Sequence, residues 1–137
     1  MRYRLAVVLL LLFAAHALKG VGDSLQFHYA DSPFADWGNE AFWNPEESWK
    51  AKYARDAAGE PLRPLREDFP GSTTLFVATT DAWHLSQSLQ YACLRLAVCL
   101  LAVPLLGWRG GWAYLGLYAL IWVVQAAGFH LAYTVFG

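Results

Sequence analysis

Charge is missing from most of this sequence. All eleven acidic residues fall between Asp23 and Asp81. From Gly110 onward the only ionisable side chains are His130 and tyrosines; from Ala82 to Trp108 the one full charge is Arg95, and from Leu5 to Ala17 there is none. Carboxylates are costly in hydrocarbon and cheap in water, so this distribution separates lipid-embedded chain from aqueous chain. Cysteine is scarce too. Cys93 and Cys99 stand about 9 Å apart along one helix and on different faces, which excludes a bridge between them. No secreted disulfide framework is present. With a net charge of −1 and scattered basic residues, the chain carries no nucleic-acid footprint. A glycine-rich phosphate loop, a nucleophile elbow, a carboxylate dyad inside a helix pair and a c-type haem motif are all absent.

What is there is apolar: 57 % of the residues are hydrophobic, more than a soluble domain of this size carries. The pattern predicts an all-α integral membrane protein, residues 1–137 forming one membrane domain with three transmembrane helices. Met1-Arg2-Tyr3-Arg4 and the run after it resemble the basic and apolar regions of a signal peptide, and Ala15-His16-Ala17 has the form of a cleavage site. Residues 3–21 are nevertheless long enough to span a bilayer, at about 20 residues per crossing, and a retained helix is favoured. That helix could continue, bent at Gly20 or Gly22, into an amphipathic piece from Asp23 to Tyr29.

Residues 22–72 form a polar insertion. Trp37, Phe42 and Trp43 suit the headgroup layer, where amphipathic rings collect. Asn44-Pro45-Glu46-Glu47 is a strong helix start, with a preferred N-cap, a proline at the first helical position and carboxylates facing the dipole. A helix over 45–57 follows, with Trp49 and Tyr53 expected on one buried face. Residues 59–71, with three prolines, read as a connector. From Thr73 no strong breaker appears before Pro104. That predicts a helix over 73–106, about 51 Å long, projecting beyond a hydrocarbon core of about 30 Å. Trp108-Arg109-Gly110-Gly111 predicts a tight turn, and a third helix runs over 112–135. Arg2, Arg4 and Arg109 place the N-terminus and this turn in the cytoplasm, and the insertion and C-terminus outside.

On that topology His16, His28, His84 and His130 all fall at the exported boundary, together with Asp23 and Asp81. Neutral imidazoles and carboxylates at a semi-dry boundary are what a zinc or iron site requires. Asp81 and His84, three apart, share a helix face and are the leading ligand pair. His28, His16, His130 and Asp23 are the candidates to complete the shell, with Gln87 and Gln26 behind them. Asp23 and His28, about 140° apart on a regular helix, could serve one ion only through a bend. The plainer reading is a solvated helix face with a local hydrogen bond. Arg95, deep in a span with no carboxylate beside it, points to snorkelling, an anionic lipid or a partner subunit. Together with Trp37, Trp43 and Trp49 it is a candidate lipid or partner contact.

The phrases DSLQFHYADSPF, FWNPEESWKAKY and GSTTLFVATTDAWHL, in that order, resemble a family of small uncharacterised bacterial membrane proteins of Bacteroidetes type. The resemblance covers most of residues 22–90. It implies a three-helix inner-membrane protein with a periplasmic insertion, and it implies no activity. The functional expectation is a boundary metal site, with water activated on a lipid or headgroup substrate. The alternative is a non-catalytic subunit or assembly factor docking a membrane partner or a second copy.

Overall fold

A computed structural model describes residues 2–136. Five helices follow one another: α1 (Arg2–Phe27), α2 (Glu40–Trp43), α3 (Pro45–Ser48), α4 (Ala82–Leu105) and α5 (Gly111–Phe136). Short 3-10 turns lie between them, and no strand occurs among the described residues. Three stretches are long and apolar enough to cross a membrane: Tyr3–Phe27, Ala82–Leu105 and Gly111–Ala132. At 1.5 Å per residue the shortest measures about 33 Å, enough for a core of about 30 Å.

The chain divides into two compact units, Met1–Ala14 with Tyr91–Gly137, and Ala15–Gln90. In the first, Val8, Ala97, Cys99 and Val103 are buried, small enough for helices to approach closely without a hydrophobic driving force. No residue in the apolar window of α5 is fully buried within the protein, as suits a helix facing lipid. The turn after α4 closes through a Schellman motif. Trp108 N–H donates to Val103 O at 3.1 Å and Gly107 N–H to Pro104 O at 3.1 Å. Gly107 takes φ +69°, a left-handed conformation that a Cβ would penalise.

The second unit joins the last turns of α1 to the insertion and the first turns of α4. The α1 helix runs unbroken through Gly20 and Gly22 to Phe27, so the amphipathic piece continues helix one. At Gly22 an added Cβ would lie 3.0 Å from Ser86 Oγ; the absent side chain is what lets α1 and α4 meet there. The insertion carries a small aromatic cluster, none of it fully buried. Phe34 stacks on Trp43 with centroids 5.5 Å apart, and Trp37 and Phe42 meet Trp43 edge-on at 4.9 and 5.2 Å.

Two expected helices are shorter than the pattern implies. The Asn44 cap forms, its Oδ1 accepting Glu46 N–H at 3.0 Å. The helix it starts nevertheless ends at Ser48, and a 3-10 turn carries the chain to Lys52. Beyond that point the backbone pairs with the supposed connector. Ala54 N–H donates to Arg66 O at 2.9 Å, and bridges link Tyr53 to Glu67 and Arg55 to Pro61. Lys50 ties the two sides together by bonding Glu47 at 3.1 Å and Glu60 at 2.9 Å. Trp49 and Tyr53 do touch, at 6.1 Å between centroids, but Trp49 is exposed rather than buried.

The α4 helix, likewise, begins at Ala82 and not at Thr73. The threonines of that stretch turn their hydroxyls to nearby groups instead. Thr79 Oγ1 donates to Phe76 O at 2.8 Å, and Glu67 receives the Thr73 hydroxyl and the Gly71 and Thr73 N–H groups. Such local bonds compete with helix formation. They hold Glu67 below the usual carboxylate range, the Thr73 hydroxyl being the strongest cause.

Candidate functional site at the membrane boundary

The start of α4 is made by Asp81. Its carbonyl takes the first helical bond, from Leu85 N–H at 3.1 Å, and its Oδ1 accepts His84 N–H at 2.8 Å. That is the N-cap arrangement, in which a side-chain oxygen satisfies an orphan donor of the first turn. The other oxygen, Oδ2, lies 2.6 Å from His84 Nδ1. The Thr80 hydroxyl is 3.0 Å from the same oxygen and 2.8 Å from Val77 O, so its single proton serves one of them at a time. Asp81 is 2 % exposed. Burial raises its pKa, but the His84 ring, the His84 N–H and Thr80 outweigh that, and the carboxyl sits below its ordinary range.

An ionised carboxylate only accepts hydrogen bonds, so the His84 nitrogen facing it, Nδ1, carries a proton, and in the neutral ring Nε2 then holds the lone pair. Among the described residues no side chain is bonded to Nε2. The imidazole borders a cavity of about 260 Å³, shared with Gln26, Ser48, Trp49, Lys52 and Trp83. Gln26 comes from the last turn of α1 and accepts the Trp83 indole N–H at 3.1 Å. Asp81 immediately precedes the apolar stretch of α4, and Gln26 lies one residue before that of α1 ends at Phe27, so the cavity lies beside the ends of two candidate spans. Ser48 is buried and comes from the end of α3. Lys52 comes from the 3-10 turn beyond it, held there because Lys52 O accepts the buried Ser72 hydroxyl at 2.7 Å. The set comprises a polarised imidazole, a cation, a hydroxyl and two indoles.

The other candidate residues lie elsewhere. His28 is exposed just past α1 and does not border this cavity. His16 is exposed on α1. Asp23, on the same helix, is ion-paired with Lys19. Gln87 stands beside Gly22 rather than behind His84. His130 lines a separate cavity with Arg95 and Gln125. Among the described residues no three His, Cys, Asp or Glu side chains gather into a group able to hold a metal ion. Asp81 orients His84 and caps the helix, and both its oxygens are occupied. Sequence reasoning missed Ser48 and Lys52, which a chain turn brings to the site without any spacing signal. In comparison with known proteins, the chain matches no family model, no curated protein and no solved structure.

Proposed function

We propose that this is a bacterial inner-membrane protein, N-terminus in the cytoplasm and insertion outside, with a proton-transfer site at its exported boundary. His84 Nε2 is the general base, Asp81 the positioning residue, and Lys52 the group that holds an anionic substrate. The observation that carries this reading is the buried Asp81 carboxylate bonded to His84 Nδ1 beside an open cavity. A base must carry a free lone pair within reach of its substrate, and a carboxylate behind the ring stabilises the imidazolium that forms. The cation and the indoles suit a phosphate- or carboxylate-bearing headgroup lying against apolar surface.

The test is turnover of phosphatidylglycerol, phosphatidylethanolamine and phosphatidylcholine vesicles by the purified protein. His84→Gln and Asp81→Asn should abolish product, while His28→Gln leaves it unchanged. Metal content is read on the same samples. Stoichiometric zinc or iron that is lost with His84→Gln would replace this reading by the metal-centred one, with His84 as a ligand oriented by Asp81. A second reading is non-catalytic docking of a membrane partner. It is favoured by one observation: capping alone gives Asp81 and His84 a structural use. Absence of turnover on all three lipids, with a partner retained by both variants, would select it.

A further inference from the structure

The first unit holds a second polar site, within the span. Arg95 lies about 20 Å along α4 from Ala82 and about 15 Å from Leu105, at 1.5 Å per residue. Its Nε donates to Gln125 Oε1 of α5 at 2.7 Å. Its guanidinium also lies 5.8 Å from the Tyr91 ring and 5.7 Å from the Tyr118 ring. These neighbours steady a cation, yet none is an anion. Among the described residues Arg95 has no ion pair. An intramembrane Arg is costly unless neutralised or hydrated. Its four remaining N–H donors, on the two Nη atoms, are a fork that matches a carboxylate or phosphate.

Beside that fork is a cavity of about 380 Å³, lined by Tyr91, Arg95, Trp122, Gln125, Phe129 and His130. From Gln125 to His130 the helix rises about 7.5 Å, and His130 lies two residues before the apolar stretch ends at Ala132. The cavity therefore leads from mid-span towards one boundary. Trp122 and Phe129 on its wall are exposed, so it opens where acyl chains lie.

We propose that this cavity binds one amphiphile from the surrounding bilayer. Its anionic head is held by Arg95 and Gln125, and its chain runs along Trp122 and Phe129. A second copy of the chain could not neutralise Arg95 in the same way. Every acidic residue falls between Asp23 and Asp81, so α4 and α5 offer no carboxylate, and Asp23 of α1 is paired with Lys19. The shared chemistry of the ligand is a carboxylate or phosphodiester head on an acyl chain.

Native mass spectrometry of the full chain in neutral detergent tests this, with oleate, phosphatidylglycerol or phosphatidylcholine added. One molecule of oleate or phosphatidylglycerol should bind, at least about tenfold more tightly than phosphatidylcholine. The preferred anion tells a free carboxylate from a phosphodiester. Arg95→Met should weaken that binding by about tenfold or more. Gln125→Glu puts a carboxylate beside Arg95 and should displace the anion while leaving the helical content intact, so the claim does not hang on the folding of Arg95→Met. Equal binding of the three lipids, no binding of any, or anion binding unchanged by Gln125→Glu would overturn the proposal. So would a co-purifying protein, with no lipid, that is lost in Arg95→Met.

Discussion

Asp81 does two jobs that single substitutions can separate. As an N-cap it needs only an acceptor oxygen, which asparagine supplies. As the partner of His84 Nδ1 it needs an ionised carboxylate. Asp81→Asn should therefore keep the cap, lose only the part of the stability that the ionised carboxylate adds, cost less than Asp81→Ala, and lose the activity of the site. Asp81→Ala should cost about 1–2 kcal/mol as well. Equal stability loss in both variants would tie the carboxylate to structure alone. Acid should act in the same place. Asp81 and Glu67 both sit below their ordinary carboxyl values in the folded chain. The stability they contribute is complete above the unfolded value, about 4, and is lost as pH falls from there through the folded values. Hydrogen exchange in residues 67–85 should accelerate as pH drops below about 4, after correction for intrinsic rates. A smaller acceleration is expected in a Glu67→Gln, Asp81→Asn double variant.

Helix ends decide how far pattern reading reaches in this chain. The three long apolar helices were legible because a spanning helix announces itself by length and absence of charge, and α5 differs from expectation by one residue at each end. The Asn44 cap was legible too, since a cap is local chemistry. Asn44→Ala should cost about 1 kcal/mol, measured as loss of thermal stability in the insertion. The helix ends were not legible where they depend on distant partners. Nothing in residues 45–57 says that Ala54 will bond Arg66 and Leu62, and nothing in Thr73–Thr80 says that Glu67 will take the Thr73 donors. The Asp81–His84 contact was anticipated from their spacing, but as a pair on a helix face; in the fold Asp81 is the cap in front of the helix. Ser48 and Lys52 reach the site through the 3-10 turn that replaced the expected helix. At Gly22, the close approach to Ser86 Oγ makes a further prediction. Gly22→Leu should destabilise the second unit by about 1–3 kcal/mol through overpacking, whereas Gly20→Leu, with open space around it, should change stability little.

Across the whole molecule, three apolar stretches long enough to insert by length alone flank a charged insertion that holds nearly all the acidic residues, and the two proposed sites lie at His84 and Arg95. The proposed orientation rests on Arg2, Arg4 and Arg109 lying on one side, and it predicts that a cysteine placed at Glu60 is labelled by impermeant reagents from outside, and one placed at Gly110 only after the membrane is breached. The reverse pattern would invert the topology. The central claim is that Asp81 holds His84 with Nε2 presented as a base, and nitrogen-15 NMR of labelled histidine reads this most directly. The account predicts that neutral His84 carries its proton on Nδ1, with an unprotonated Nε2, and that Asp81→Asn shifts the tautomer balance of this residue alone among the four histidines. A His84 protonated on Nε2, or one indifferent to Asp81→Asn, would contradict it.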